Sequence, residues 1–322
     1  MKLIDAVHSY RERYDVPLWR AIMILFNKKY CKSIRHMINN EYDLFQFDRL
    51  NFYAQREYIT GHEIMNRIKS LNNAVDSWDL MDNKVIFDKT FEKYLGREYL
   101  EVNASTPFSA FEEFIKRHRS VFIKPLDAFG GRGISRYDGA VDPESLRSLF
   151  ESLSSAPHII EEEIDQIDTL AKLFPGSVNT LRVVTMIDRE GIVHIPFANI
   201  RIGRGNNRVD NFSSGGISAA IDIENGIVMS KGYDKFGNTY TLHPDTGVPI
   251  AGLVIPCWET VKRTVLEAAA SVPQLRYVGW DVVVRKDGSI SFIEGNLNAE
   301  ARLHQVTLHK GLRSVYSKYL DL

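Results

Sequence analysis

Two acidic residues stand out within residues 277–296, YVGWDVVVRKDGSISFIEGN, because the segment otherwise consists of two short, mostly apolar runs. The Asp-Gly pair at 287–288 is a strong hairpin signal, since both residues of such a turn need positive φ. Counting outward from a two-residue loop places Asp281 directly opposite Glu294. Asn296 projects from the same face two residues further on. The sequence therefore predicts that two carboxylates and one amide oxygen converge at one end of the hairpin.

This convergence of oxygen atoms is typical of a site for a divalent cation. Like charges directly opposite one another destabilise a sheet, and burial increases that cost. A bound cation removes the conflict, and carboxylate and amide oxygens are ligands that suit Mg²⁺ or Mn²⁺. The alternative is a solvated strand end at which both acids point to water. The apolar neighbours Trp280, Phe292 and Ile293 favour the metal site.

Two arginines lie on a second hairpin, whose turn is the Glu-Gly pair at 190–191. The same counting places Arg182 opposite Asn199, with Arg201 two residues further along that face. A guanidinium group matches the geometry of a phosphate or a carboxylate, so the two arginines predict an anion site. The alternative is that each arginine reaches the sheet edge or pairs with a structural acid.

A glycine-rich loop follows a short predicted strand in FIKPLDAFGGRGI. Lys124 lies on the strand, and the loop contains Gly130, Gly131 and Gly133. Glycines let backbone amides approach a phosphate closely, and a nearby lysine adds positive charge. The loop lacks the GxxxxGK[ST] pattern of a Walker loop, and a glycine cluster by itself is more often an ordinary turn. Together with the metal site and the arginines, it predicts a pocket for nucleotide phosphates.

In this order, these features resemble the ATP-grasp superfamily. The most specific match is the spacing of Asp281, Glu294 and Asn296, with twelve residues and then one residue between them. The resemblance implies that these three residues hold the Mg²⁺ ions that bridge the phosphates of ATP. It also implies that Lys124 and the glycine loop contact the nucleotide.

Further segments extend the resemblance over about residues 80–305. The segment IIEEEI is similar to the part of the family that meets adenine and ribose, which makes Glu161 and Glu163 candidates and leaves the choice between them open. Lys84 matches an earlier nucleotide-binding lysine of the family, with Lys89 as a rival.

The run from NTLRVVTM to VDNFSSGGI is similar to glutamate-adding and tyrosine-adding ligases of the superfamily. That similarity implies that Arg182, Arg201 and Asn211 lie near the transferred phosphate. The amino-acid sequence of this run and of VGWDVVV is most similar to the sugar-transfer-associated ATP-grasp group.

The resemblance implies an ATP-dependent carboxylate–amine ligase, which forms an amide through an acyl-phosphate intermediate and releases ADP and phosphate. It implies ATP and Mg²⁺, with Mn²⁺ as an alternative metal, and a role in the biosynthesis of cell-surface polysaccharides or sugar conjugates. The expected substrates are a small carboxylate and an amine, such as a sugar acid or an amino sugar, and a glycosyltransferase is a candidate partner. An ATP-dependent kinase of a small hydroxyl substrate and a non-catalytic nucleotide-binding protein are the alternatives.

Two further features have equally good functional and structural interpretations. Arg204 and Arg208, in RIGRGNNR, offer binding groups for an acidic substrate, or else they belong to a solvated turn. His304 either faces the acceptor or has a structural role.

The elements that must position these residues change in character along the chain. Residues 1 to about 75 have apolar residues at three-to-four spacing, which predicts helices. A further helix is expected to end at Gly96, and hairpins dominate from residue 178 onward. We therefore expect an α+β protein with antiparallel sheets. The predicted parts are a helical N-terminal region at 1–79 and an ATP-grasp domain at 80–322, in which two α+β subdomains lie on either side of ATP and the lid subdomain covers about 120–165.

Composition indicates an ordinary globular protein, with 322 residues of which 44% are hydrophobic and 25% charged. A net charge of −1 gives no indication of nucleic-acid binding. Two distant cysteines, Cys31 and Cys257, argue against a disulfide scaffold or a zinc site. The N-terminus shows no apolar run of signal-peptide length, and the run VPLWRAIMILF is interrupted by Arg20 and too short to span a bilayer. We therefore expect a cytoplasmic protein in which this run forms an amphipathic helix that packs on the protein or on a partner.

Overall fold

The computed structural model describes residues 3–38, 40–72, 78–118, 120–126, 133–139, 142–206, 209–299 and 301–320. Gly130, Gly131 and Arg208 lie outside these ranges, so the predictions made for them stay predictions. None of the helices in the described ranges is long and apolar enough to cross a lipid bilayer.

The N-terminal region is helical, as the three-to-four spacing predicts. Its helices are α1 (Leu3–Tyr14), α2 (Leu18–Ser33), α3 (Glu41–Leu44), α4 (Phe52–Arg56) and α5 (Gly61–Leu71), with a 3₁₀ turn at Phe47–Arg49. A buried cluster that includes Tyr42, Phe45, Phe47 and Tyr58 packs beneath α2 and against Tyr233 of the large sheet. Burial of this aromatic surface holds the region on the rest of the molecule.

Three short helices follow, namely α6 (Asp79–Asp82), α7 (Lys84–Thr90) and α8 (Glu92–Leu95). The side chain of Asn83 accepts hydrogen bonds from the amides of Val85 and Ile86, which begins α7 at Lys84. Gly96 ends α8 with φ of 60°, a left-handed conformation that glycine adopts at low cost, so the predicted helix end is confirmed.

The smaller sheet has four antiparallel strands in the order β1-β4-β2-β3. The strands are β1 (Tyr99–Val102), β2 (Val121–Pro125), β3 (Ser135–Tyr137) and β4 (His158–Glu162). Helices α9 (Phe108–Arg117) and α10 (Pro143–Ser154) share its apolar cluster, and Asp142 caps α10 by accepting from the amide of Ser145. We call this unit the lid sheet, and its first strand lies before the residues predicted for the lid.

The larger sheet has seven strands in the order β11-β10-β5-β6-β7-β8-β9, and every neighbouring pair is antiparallel. Its strands are β5 (Leu181–Ile187), β6 (Val193–Ile202), β7 (Ile217–Ile221), β8 (Gly232–Tyr233), β9 (Thr239–Tyr240), β10 (Tyr277–Val284) and β11 (Ile290–Asn296). Two antiparallel sheets with helices confirm the predicted α+β class.

Helices cover both faces of the larger sheet. Val183 and Val282 share an apolar cluster with α12 (Trp258–Ala270). Val184 and Met186 share another cluster with α13 (Ala301–Leu308) and α14 (Arg313–Leu320). A short helix, α11 (Asp168–Ala171), completes the elements of the described residues. Since side chains alternate along a strand, Arg182 is expected on the same face as Val184.

In the hairpin of β10 and β11 the predicted two-residue turn is wrong, but the predicted pairing of Asp281 with Glu294 is confirmed. The amide of Arg285 donates to the carbonyl of Ser289 at 2.8 Å, so the loop has three residues rather than two, and Gly288 takes a φ of 83°. An irregularity between Asp281 and Val282 then restores the register, and Asp281 pairs with Glu294. A glycine in the left-handed region is what a three-residue loop of this kind requires.

The hairpin of β5 and β6 shows the same two departures. The amide of Asp188 donates to the carbonyl of Ile192 at 3.1 Å, and Gly191 has a φ of 83°, so this loop also has three residues. A register shift between Val184 and Met186 offsets the extra residue. Arg182 therefore pairs with Asn199, as the sequence predicted.

Candidate active site

A pocket of about 500 Å³ lies where the lid sheet, α7 and the larger sheet meet. The predicted site residues that line it are Lys84, Lys124, Glu161, Arg182, Arg201, Asn211, Asp281, Glu294 and Asn296. They come from positions more than two hundred residues apart in the chain, so the fold assembles one site from segments that the sequence keeps separate.

The acid pair forms the floor of this pocket. Asp281 on β10 and Glu294 on β11 are paired across the two strands, and Asn296 follows two residues later. Asp281 is only 2% exposed, whereas Glu294 is open to the space of the pocket. The Nδ2 atom of Asn296 donates to Oε1 of Glu294 at 3.1 Å, which directs the amide toward the carboxylate.

Both arginines bind the buried aspartate. Arg182 donates to the two oxygens of Asp281 from Nε at 2.5 Å and from Nη2 at 2.9 Å, a bidentate contact. Arg201 donates from Nη1 to Oδ2 of Asp281 at 2.5 Å and from Nη2 to Oδ1 of Asp210 at 3.0 Å. The arginines are therefore fixed by acids, which is the structural alternative foreseen from the sequence, and they also line the pocket.

Asp210 is a residue that the sequence reasoning missed. Its Oδ2 atom accepts from the amide of Thr180 at 2.7 Å and from the hydroxyl of the same threonine at 2.5 Å. Asp210 is 5% exposed and bonds to Arg201, so it holds that guanidinium from the side opposite Asp281. The available signal was its position directly before Asn211 in the run VDN.

Charge in this group is unequal, with the three carboxylates of Asp210, Asp281 and Glu294 against the two guanidinium groups of Arg182 and Arg201. Burial opposes ionisation of Asp281, but the two arginines outweigh it and hold the pKa of Asp281 well below its usual range. Enclosure and the neighbouring Asp281 raise the pKa of Glu294. The surplus negative charge is therefore located on the carboxylate that faces the pocket.

A second charged group lies on the lid side of the pocket. Lys124 donates from Nζ to Oε2 of Glu161 at 2.6 Å, and Arg97 donates from Nε to the same oxygen at 2.8 Å. Arg97 also donates from Nη2 to Oδ1 of Asp88 at 3.2 Å and from Nη1 to the carbonyl of Phe292. These contacts tie β2 and β4 of the lid sheet to α7 and β11.

Burial and charge act in opposite directions on the two acids of this group. Burial opposes ionisation of Glu161, but Arg97 and Lys124 outweigh it and lower the pKa of Glu161. Burial raises the pKa of Asp88, and Arg97 offsets only part of that effect. Neither Arg97 nor Asp88 is identifiable from the sequence, because their spacing in the chain carries no known pattern.

For the two choices that the sequence left open, Lys84 or Lys89 and Glu161 or Glu163, the structure places one residue of each at the pocket. Lys84 lines the pocket and donates to the carbonyl of Leu126 at 3.4 Å, whereas Lys89 is exposed on α7 and does not line it. Glu161 lines the pocket, whereas Glu163 accepts from Nη2 of Arg136 at 2.8 Å and does not line it. The geometry thus brings Lys84 and Glu161 to the pocket, and their roles there stay predictions.

Three other candidates lie away from the pocket lining. Gly133 has a φ of 73°, and a Cβ there would lie 2.9 Å from Pro125, so this position favours glycine. Arg204 pairs with Asp234 at 3.2 Å, which is the contact of a structural arginine. His304 is buried and hydrogen-bonded to Asn199, and burial, together with the charge of Arg182, lowers its pKa to about 3.

The donors at the pocket fit a metal-bound nucleotide phosphate. Among the described residues, no group of three or more Asp, Glu, His and Cys side chains is placed to hold a metal ion. The candidate set is instead two carboxylates and the amide oxygen of Asn296, all hard donors of the kind that Mg²⁺ accepts. Lys84 and Lys124 supply positive charge across the pocket from these acids.

Comparison with known proteins gives a family match over most of the chain. A family model described as sugar-transfer associated ATP-grasp matches residues 64–319. No curated protein sequence matches the chain.

Solved structures show a similar fold at low sequence identity. The ADP complex of N5-carboxyaminoimidazole ribonucleotide synthetase matches with a TM-score of 0.50 at 13% identity, covering 88% of this chain and 65% of that one. The ATP-grasp ligase PsnB complexed with minimal precursor has a TM-score of 0.48 at 16% identity, covering 78% and 64%. D-alanyl-alanine synthetase A from Vibrio cholerae has a TM-score of 0.46 at 12% identity, covering 76% and 66%. The chain spans less than two thirds of the length of the PsnB structure.

Proposed function

This chain belongs to the sugar-transfer-associated ATP-grasp family, and from that premise we propose that it is an ATP-dependent carboxylate–amine ligase. The fold is that of ATP-grasp proteins, and the solved structures with a similar fold include ligases. The proposed reaction joins a small carboxylic acid to an amine and converts ATP to ADP and phosphate.

One observation carries the proposal. Asp281 and Glu294 are paired on neighbouring strands with Asn296 beside them, in a pocket whose described lining also contains two lysines and three arginines. A single acid pair is common in proteins, but hard oxygen donors facing several cations in one pocket suit a polyphosphate with its metal.

Asp281, Glu294 and Asn296 would hold Mg²⁺, with Mn²⁺ as the alternative. The metal, when bound, would neutralise charge on the phosphate oxygens of ATP. Glu294 is the ligand most open to the pocket, whereas Asp281 already accepts three hydrogen bonds from the arginines. A carboxylate has about four lone-pair sites, so Asp281 retains capacity for one further contact.

The proposed chemistry has two steps. In the first, a carboxylate oxygen of the acid attacks the γ-phosphorus of ATP, the bond from that phosphorus to the leaving oxygen breaks, and ADP departs. In the second, the amine nitrogen attacks the carbonyl carbon of the acyl phosphate, the carbon–oxygen bond breaks, phosphate departs and the nitrogen loses a proton. Neither step needs a nucleophile from the protein.

The chain's own residues would position and stabilise the reacting groups. The contacts of Arg182 with Asp281 use Nε and Nη2, so the Nη1 donors are not committed to that contact and can meet the transferring phosphoryl group. Arg201 and Asn211 line the same part of the pocket. We assign Arg201 and Asn211 the same role of stabilising the transferring phosphoryl group.

The nucleotide would lie on the lid side of the pocket. Lys84, Lys124 and the glycine loop with Gly130, Gly131 and Gly133 would contact the phosphates and exclude water from the acyl phosphate. Glu161, rather than Glu163, would meet the ribose, because it is the one that lines the pocket.

The substrates we propose are a sugar acid with an amine, or an amino acid with an amino sugar, in the assembly of a cell-surface polysaccharide or sugar conjugate in the cytoplasm. The family description, which names sugar transfer, supports this context. A glycosyltransferase that supplies or consumes the sugar is the partner we propose.

The test is a coupled assay of ADP and phosphate release with panels of sugar acids and amino acids, each with and without amines. A ligase gives phosphate release that depends on both substrates, together with an amide product of matching mass. A stable phosphorylated alcohol without amine dependence would show a kinase instead. Nucleotide binding without turnover for any pair would show a non-catalytic nucleotide-binding protein.

A further inference from the structure

Helix α2 carries apolar side chains on the face that points away from the protein. Its inward face is made by Ala21, Ile24 and Cys31, which are buried. Its outward face exposes Trp19 at 63%, Met23 at 62% and Phe26 at 60%. Positions separated by three or four residues lie on one side of a helix, so the outward residues form a continuous stripe.

Helix α4 extends this stripe. The rings of Tyr30 on α2 and Phe52 on α4 have their centroids 6.4 Å apart, and the rings of Phe52 and Tyr53 are separated by the same distance. All three side chains are exposed. We call the surface made by Trp19, Met23, Phe26, Tyr30, Phe52 and Tyr53 the aromatic face.

The aromatic face is held outward by polar contacts on the other side of α2. Lys28 pairs with Asp43 at 2.9 Å. Arg35, just after the helix, donates to the carbonyls of Gln55 at 2.8 Å and Tyr58 at 2.6 Å. Because these contacts fix the rotation of the helix, the outward stripe cannot turn into the core. Surface hydrophobes are normally scattered singly, and a contiguous group of this kind marks an interaction surface.

The charge that α2 brings to the aromatic face has one sign. Helix α2 contains four basic residues and no acidic residue. Of the four, Lys29 and Arg20 are exposed and, at about 100° per residue, flank the stripe on its two sides, whereas Lys32 lies on the opposite side of the helix. The nearby acid Asp43 is neutralised by Arg13 at 3.0 Å and by Lys28. The edge of the face therefore presents positive charge.

From this arrangement we propose that the aromatic face binds the surface of an anionic lipid bilayer. A helix with Trp, Phe and Tyr on one side and basic residues at the edges of that side has the composition of helices that lie in the membrane interface. The aromatic rings would enter the headgroup layer, and Lys29 and Arg20 would meet anionic headgroups.

A second copy of this chain is a poorer match. In a symmetric dimer the same patch contacts itself, so both halves of the interface would carry the basic residues of α2 and neither α2 helix would supply an acidic partner. Like charges placed against each other oppose association. An anionic bilayer instead complements the face in both its apolar and its charged parts.

Co-sedimentation of the full-length chain with vesicles tests the proposal. We expect binding to equal parts of phosphatidylcholine and phosphatidylglycerol, weak binding to phosphatidylcholine alone, and a decrease as salt is added. The double variant Trp19→Ser/Phe26→Ser should lower the partition coefficient by about 100-fold, because two interfacial side chains are lost. Arg20→Gln/Lys29→Gln should lower binding to the anionic vesicles by about 30-fold, from roughly 1 kcal/mol per basic residue.

Phe236→Ser is the matched control, since Phe236 is 68% exposed and lies outside the aromatic face. Binding of this variant should equal that of the wild type, and circular dichroism should show that all variants are folded. A second measurement uses Trp19, the exposed tryptophan, whose fluorescence should be quenched by acyl-brominated lipids in the wild type and not in Trp19→Phe.

Two results would overturn the proposal. One is equal retention of the wild type and the Trp19→Ser/Phe26→Ser variant on anionic vesicles, or retention of neither. The other is a concentration-dependent dimer of the wild type, seen by light scattering, that the same double variant abolishes, since that would assign the face to a second copy of the chain.

Discussion

Two buried charged groups border the pocket, and they differ in balance. The lid group consists of Arg97, Lys124, Asp88 and Glu161, with two positive and two negative side chains. The floor group consists of Arg182, Arg201, Asp210, Asp281 and Glu294, with two positive and three negative side chains. The lid group is closed within itself, whereas the floor group has one carboxylate more than its arginines can neutralise.

The difference separates a charge-balanced group from one that a bound cation can complete. A buried charge is stable only when it is paired, and the members of the lid group pair with one another. Both groups contain one acid with a raised pKa, Asp88 and Glu294. Both acids line the pocket, but Asp88 is 1% exposed whereas Glu294 is exposed. A cation that enters therefore reaches Glu294, in the floor group, more readily than Asp88.

The largest expected effect comes from removing the surplus carboxylate. Glu294→Gln should lower ATP turnover by at least about 10³-fold, because a ligand for the metal is lost where charge develops. The measurement is ADP release with the best substrate pair, titrated with Mg²⁺. Asp287→Asn, in the turn of the same hairpin, is the control and should keep wild-type turnover. Unchanged turnover in Glu294→Gln would refute the assignment of Glu294 as a metal ligand.

Breaking the lid group should instead cost stability. Arg97→Met leaves Glu161 and Asp88 without their shared partner, and removal of one member of a buried ion pair typically costs about 3–5 kcal/mol. Urea unfolding measures the loss. The control is Arg117→Met, since Arg117 makes exposed ion pairs with Glu98 and Glu113 and should change stability far less. Equal losses in the two variants would show that the lid group is not a buried network.

The same comparison shows what could be read from the sequence. The pair Asp281–Glu294 was predicted correctly although the assumed two-residue turn is wrong, because a third loop residue and an irregularity in the strand offset each other. Turn chemistry is local and can be read from an Asp-Gly pair. The irregularity depends on how the strands pack, which no short stretch of sequence encodes.

The lid group shows where such reading ends. Arg97 and Glu161 are separated by 64 positions and meet because β4 lies beside β1, which follows Arg97. Neither Arg97 nor Asp88 belongs to a spacing that carries a known chemistry. Contacts of this kind follow from the tertiary arrangement, so they were found in the structure and not in the sequence.

The charge of Arg182, a member of the floor group, should affect how the free energy of unfolding depends on pH, because His304 lies near it. His304 is buried near Arg182, and burial together with that charge lowers its pKa to about 3 from 6.5. Below pH 6.5 the unfolded chain binds a proton that the folded chain does not. The free energy of unfolding therefore decreases as the pH is lowered from 6.5 to about 3. Between pH 7 and pH 5 this group should cost about 2 kcal/mol of unfolding free energy.

His304→Gln removes that titration and should flatten the pH dependence by the same amount, whatever its effect at pH 7. Urea unfolding at the two pH values gives the difference. The control is His8→Gln, at an exposed position on α1, measured at the same two pH values. An identical pH dependence in His304→Gln and the wild type would show that His304 is not held in its neutral form.

The smallest expected effect is the sharpest test of the comparison. The folded-state pKa of Glu294 is raised, so ionisation of this residue above that pKa opposes folding, and its cost is present at pH 8. Glu294→Gln removes the surplus charge and should therefore raise stability slightly at pH 8 without metal, while Asp287→Asn does not. Adding Mg²⁺ with ATP should stabilise the wild type and not the Gln variant, since a ligand that binds the folded state raises its stability. If Glu294→Gln loses both activity and stability, Glu294 belongs to a balanced set of charges like the lid group. If the variant loses activity and gains stability, Glu294 is the carboxylate whose negative charge the fold leaves uncompensated until a ligand binds.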